Sequence, residues 1–248
     1  MHKLFPVLSL CSLLIGASQA YAGERVTYDV EGVAYEGYFQ ASEEGRALVL
    51  IVHDWDGLTA YEEQRAAMLA ELGYDVFAAD LFGAGVRPTE TADKRRLTGE
   101  LYGDREKMRR LLSAALEQAR SKLGEQKPVV AAGYCFGGTA VLELARSGEA
   151  LSAFASFHGG LSRPENQDYS ATRGKVLVYH GTADKAVSMQ EFANLAVDLE
   201  TAGIPHEMTT YSGAPHAFSV FGSSRYHEQA DRQSWGSFVE QLEVLTSP

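Results

Sequence analysis

Short apolar runs alternating with helix-length amphipathic stretches constrain this chain more than any other feature of its sequence. ALVLIVHD (47–54), YDVFAADLF (74–82), PVVAAGYC (128–135), LSAFASFHG (151–159), KVLVYHG (175–181) and HEMTTYSG (206–213) read as strands. Where such a run is continuously apolar it predicts a strand covered on both faces. Between them lie residues at helical spacing. Leu58, Tyr61, Arg65, Met68, Leu69 and Leu72 precede a stop at Gly73, and Met108, Leu111, Leu112, Ala115, Leu116 and Ala119 fall within 105–123. TAVLELARSG, a segment around 188–203 and a terminal stretch with Trp235, Phe238, Val239, Leu242 and Leu245 continue the pattern. The alternation predicts an α/β fold, with a mostly parallel central sheet and helices on both faces. RVTYDV and VAYEGYF, meeting at Glu31-Gly32, predict an N-terminal antiparallel hairpin. The polar stretch from Gly83 to Gly103 is expected to be a long surface excursion.

The first residues read differently. Lys3 precedes an apolar run from Leu4 to Ala17, and Ala20-Tyr21-Ala22 closes it. That is the anatomy of a cleavable signal peptide over 1–22, and the run is too short for a membrane span. Lipoprotein processing at Cys11 is disfavoured, because Leu10 is bulky where a small residue is wanted. Export to the periplasm or the medium is therefore expected, with 23–248 forming a single domain. Cleavage leaves Cys135 as the lone cysteine, so no internal disulfide forms and the fold rests on its core. The formal net charge of −11 argues against nucleic acid and anionic membrane surfaces as partners. A monomer acting on a small molecule is the expectation.

That lone thiol sits in GYCFGG (133–138), which has the G-x-nucleophile-x-G pattern of a strand-to-helix elbow. The elbow projects its central side chain above the sheet edge. Gly133 and Gly137 suit the close approach of strand and helix, where a Cβ would not fit. A helix opening there favours negative charge at residue 135, and the Phe136 amide points where an oxyanion would form. In elbow hydrolases the partners follow in the order acid, then histidine. Asp184 lies in a loop after KVLVYHG, and His216 lies in SGAPHAF after the last strand. Both belong to the carboxyl edge of the sheet, where α/β proteins bind ligands. His158 ends its own strand but precedes the acid; His180 is expected to be packed, and Asp80 to anchor the next loop. His206 and His227 are expected to be solvated. Trp55, Phe82, Phe136 and Phe218 are candidates for an apolar cleft wall or, equally, for core packing.

Taken together, HDWDG, DLFG, GYCFGG, HGTAD and PHAF resemble the dienelactone hydrolase family. The resemblance implies an α/β-hydrolase fold, a Cys135–Asp184–His216 triad and hydrolysis of a small ester or lactone, with no metal or cofactor. It also implies that the Trp55 amide is the second oxyanion donor. Asp54 would be the carboxylate that holds the resting thiol, one methylene shorter than the family's glutamate. Family enzymes that open dienelactones clasp a substrate carboxylate with arginines. Val220 stands near one expected position, and Arg87 is a candidate for the other. Two rival readings of the same cleft are a non-enzymatic small-molecule-binding protein and a redox-responsive thiol.

Overall fold

A computed structural model describes residues 23–123 and 127–247. The expected signal peptide over 1–22, with Cys11, lies outside the described residues. The hairpin forms as expected from β1 (Glu24–Val30) and β2 (Val33–Gln40), turning at Glu31 and Gly32, both of which have positive φ.

The apolar runs supply β3 (Leu48–Val52), β4 (Asp75–Ala79), β5 (Val129–Tyr134), β6 (Ala150–Phe157), β7 (Arg173–Gly181) and β8 (His206–Tyr211). They join the hairpin in one eight-stranded sheet of order β1-β2-β4-β3-β5-β6-β7-β8. From β4 to β8 every pairing is parallel, and only the two contacts made by β2 are antiparallel. Every residue of β3, β4 and β5 is buried. Leu48, Leu50 and Val52 join the core on one face, whereas Val49 and Ile51 join the core on the other. The twofold period of a strand covered on both sides is thus visible residue by residue.

The helices are α1 (Ala60–Glu71), α2 (Thr91–Gly103), α3 (Arg105–Ser121), α4 (Phe136–Arg146), α5 (Met189–Ala202) and α6 (Glu228–Thr246). Met108, Leu111, Leu112, Ala115, Leu116 and Ala119 form the buried stripe of α3, as their spacing predicts. Two expectations need correcting. The stretch 83–103 is not all excursion, because α2 occupies its second half. Only Thr98 and Leu101 of that helix are buried, too few for a periodic stripe to stand out in sequence. In α1 the buried face is Glu62, Arg65, Ala66 and Leu69, while Leu58 precedes the helix and Leu72 is exposed beyond it.

What places the elbow is contact between α4 and the strands beneath it. A Cβ on Gly137 would lie 2.1 Å from the Val52 carbonyl oxygen, and one on Gly133 would lie 2.1 Å from the Gly137 oxygen. Neither neighbour is a side chain that can swing away. Gly137→Ala is therefore expected to destabilise the fold by about 3 kcal/mol or more, through overpacking. Gly99→Ala, in open space on α2, should instead gain up to about 1 kcal/mol from helix propensity. Urea midpoints of the two variants test the contrast.

Candidate active site

Cys135 joins β5 to α4 with φ 51° and ψ −112°, a strained conformation for a non-glycine residue. Its backbone N–H is shared between the Phe157 carbonyl (3.0 Å) and His158 Nδ1 (3.1 Å). Phe136 opens α4, so its amide has no carbonyl one turn earlier in the helix to bond.

Asp184 and His216 arrive at the same edge from the ends of β7 and β8. His216 Nε2 lies 3.1 Å from Cys135 Sγ, and His216 Nδ1 lies 2.8 Å from Asp184 Oδ2. The other Asp184 oxygen accepts the amides of Ala186 (2.7 Å) and Val187 (2.9 Å), which fixes the carboxylate plane. The Asp184 side chain is fully buried, and His216 remains 16 % exposed. Burial pushes the Asp184 carboxyl up, but the His216 bond and the two amides outweigh it and hold the group below its usual range. Burial pushes His216 down, and its bonds to Asp184 and Cys135 outweigh that, raising the imidazole to about 10.

The facing loop after β3 is a tight turn. Asp54 N donates to Glu62 Oε1 (3.4 Å), Asp56 N to Asp54 Oδ1 (2.7 Å) and Gly57 N to the Asp54 carbonyl (3.4 Å). Those bonds occupy three amides of the turn and leave that of Trp55 without a partner among the described residues. His53 braces the turn from below. Its Nδ1 donates to the Asp54 carbonyl at 2.6 Å, and its Nε2 accepts the Leu81 amide at 3.1 Å. Lys94 of α2 closes the outside, 2.6 Å from Asp56 Oδ1 and over the Trp55 ring at 5.3 Å.

Asp54 is buried beside this turn, and desolvation pushes its carboxyl up to about 6. Glu62, fully buried next to it, is pushed up to about 8 by burial and by Asp54 itself. The thiol's side-chain hydrogen bond goes to His216, and the Asp54 bond to Asp56 orients the turn.

Asp80 anchors its loop as expected, accepting the amides of Phe82, Gly83 and Glu36. Arg87 is occupied by the carbonyls of Leu58 and Val86 and lies 3.8 Å from Asp80, so its guanidinium ties loops together. Phe136 and Phe218 are core residues, whereas Trp55 and Phe82 are only partly buried. His180 is buried against Phe192, with ring centroids 5.6 Å apart. His206 opens β8, and its half-buried ring bonds the Ile204 carbonyl, so it is not simply solvated. His227 caps α6, accepting the Ala230 amide, so it too is not simply solvated. Sequence reasoning places His53 at the carboxyl edge of the sheet, in HDWDG, without giving it a role, and it misses Glu62, whose only trace is its place in the Thr59 capping box.

A mostly parallel sheet with a strained strand–helix elbow, answered at the same edge by an acid and a histidine in that chain order, defines the α/β-hydrolase class. A sequence profile of the dienelactone hydrolase family matches residues 35–245. The chain belongs to that family and is a dienelactone hydrolase-like hydrolase. It is 27 % identical over 220 residues to a carboxymethylenebutenolidase of Rhodococcus opacus, covering 83 % of this chain and 85 % of the other. The solved structure named m3DLH superposes with a TM-score of 0.85 at 30 % identity, covering 91 % and 99 % of the two chains. A dienelactone hydrolase-like promiscuous phosphotriesterase, P91 from metagenomic libraries, gives 0.84 at 28 % identity, covering 90 % and 98 %.

Proposed function

We propose that this protein hydrolyses a small ester or lactone through a Cys135 nucleophile and a thioester acyl-enzyme. The observation that carries the reading is the unbroken chain from Cys135 Sγ through His216 to Asp184, at 3.1 and 2.8 Å, on a strained elbow. The sulfur attacks the carbonyl carbon while its proton resides on His216. The amides of Phe136 and Trp55 receive the oxyanion, each worth about 10²–10³ in rate. The tetrahedral adduct expels the alkoxide, which takes the proton from His216. A water molecule, deprotonated by the same imidazole, then attacks the thioester and releases the carboxylic acid. Asp184 holds Nδ1–H throughout, so that Nε2 faces the sulfur.

No cofactor enters this scheme. Asp54 is proposed as the carboxylate that tunes the resting thiol. Export is part of the proposal too, and N-terminal sequencing of protein recovered from a periplasmic fraction should begin at Gly23.

The test is steady-state turnover of p-nitrophenyl acetate and a lactone panel, with intact-mass detection of the acyl adduct. Saturable hydrolysis with an acetyl mass increment on Cys135 is expected. Absence of both, with tight binding of a lactone, would favour the non-enzymatic binding protein. Rapid alkylation of the thiol without turnover would favour the redox-responsive thiol. Because P91 is named a phosphotriesterase, paraoxon belongs in the same panel.

A further inference from the structure

A second histidine, His158, contacts Cys135 and takes no part in the proposed proton transfers. His158 follows β6, is almost fully buried and has φ 41°, a left-handed conformation that side chains rarely adopt. Strain of this kind persists only where the surroundings over-determine it. Here the surroundings hold both ring nitrogens. Nδ1 accepts the Cys135 amide at 3.1 Å, and Nε2 lies 2.8 Å from Ser219 Oγ. Ser219 stands three residues beyond His216 in the same loop, and the intervening Ala217 also has positive φ, at 60°. The loop is bound again from behind, where Tyr61 Oη meets Ser219 Oγ at 2.9 Å. Arg65 Nη2 donates to the Ser219 carbonyl at 2.9 Å and is ion-paired with Asp231.

We propose that His158 is a positioning residue, a neutral imidazole that ties the nucleophile elbow to the loop carrying the catalytic histidine and so sets the distance from Cys135 Sγ to His216 Nε2. The inference rests on the Cys135–His216 reading given above and adds a residue to it. The directions of the bonds specify its chemistry. A backbone N–H can only donate, so Nδ1 is unprotonated and the proton sits on Nε2, pointing at Ser219. Burial, and the neighbouring charges of His216 and Arg65, hold the ring well below its ordinary range and keep it in that neutral form. The two imidazoles, with centroids 5.6 Å apart, thus divide the work: His216 moves protons and His158 keeps its own.

The test separates position from mere packing. His158→Phe keeps a ring of similar shape and breaks both bonds. It should lower kcat on an activated ester by about 10²-fold with KM little changed, as expected for a small displacement of the reacting groups. His158→Asn places a carbonyl oxygen near the former Nδ1 and should recover most of that loss. Ser219→Ala cuts the tie from the other end and should cost about tenfold. Its combination with His158→Phe should be no worse than His158→Phe alone, because both break one link. Nitrogen-15 NMR of the labelled parent should show the Nε2–H tautomer at His158.

If His158→Phe fails to fold, Ser219→Ala and the NMR tautomer carry the test. An Nδ1–H tautomer would overturn the proposal. So would folded His158→Phe and Ser219→Ala enzymes that keep kcat within about threefold of the parent. In either case an inactive Cys135→Ala enzyme leaves the thiol mechanism standing. Turnover by Cys135→Ala would defeat that mechanism first.

Discussion

Cys135→Ala is expected to lose about 10⁴–10⁶-fold in kcat on an activated ester, the scale seen when a nucleophile acting with a base is removed. The fold should survive the change. Alanine already occupies a left-handed position at Ala217, and Gly133 and Gly137 hold α4 over the sheet whatever residue 135 carries. On the proposed mechanism the loss is a chemical one, because without sulfur no thioester would form and His216 would be left as a base with nothing to deprotonate but water. Two further results follow from the contact at 3.1 Å. His216→Ala should fall to a similarly low rate, and the double variant should be little worse than either single one. The acetyl adduct expected by intact mass in the parent should be absent from Cys135→Ala. Near-parental turnover by that variant would place the chemistry elsewhere.

The sheet was legible because burial on both faces leaves a strong mark: β3, β4 and β5 have no solvent side, so their sequences hold almost nothing polar. The elbow was legible for a related reason. Only glycine fits where α4 crosses β5 and β3, and that requirement is local and type-specific. Asp184 and His216 could be picked out because each follows a readable strand, which fixes the edge where it lies. The readings failed where burial depends on tertiary neighbours. Glu62 looks like a surface residue of an amphipathic helix, yet it is buried because the β3–α1 loop folds back to present the Asp54 and Thr59 amides to it. The part played by His158 needs the simultaneous approach of β6, the elbow and the Ser219 loop, which no local spacing encodes. Arg87 seemed free in the sequence, and its engagement by the Leu58 and Val86 carbonyls emerges only once β4 is paired beside β3.

Asp184→Asn should cost about 10⁴-fold in kcat, the effect of presenting the wrong histidine tautomer in a serine-nucleophile triad, with the fold retained. The carboxylate does two jobs with two acceptor oxygens, receiving the Ala186 and Val187 amides on one and His216 Nδ1–H on the other. Asparagine has one acceptor and one donor. If its oxygen stays on the two amides, its NH₂ faces Nδ1, and the ring must move its proton to Nε2, where it can no longer accept from the thiol. If the amide flips, its NH₂ points at two backbone N–H groups, and a buried clash of donors costs about 1–3 kcal/mol. Neither orientation restores the parent, so kcat falls while KM, which does not sense Nδ1, stays near its original value.

The pH dependence of stability supplies an independent reading. The parent's Asp184 is held below its usual range, so its contribution is present above the unfolded-state value and is lost as the pH falls through the folded one. His216 is raised to about 10, so its contribution is complete below its ordinary value near 6.5 and is lost as the pH climbs from there towards 10. Asparagine removes the first dependence entirely and weakens the second, since the Asp184 bond is the largest influence raising His216. Urea midpoints measured from acid to alkaline pH should therefore vary less in the variant than in the parent at both ends. An unchanged alkaline limb would show that Cys135 alone holds the proton on His216, and that Asp184 orients the ring without charging it.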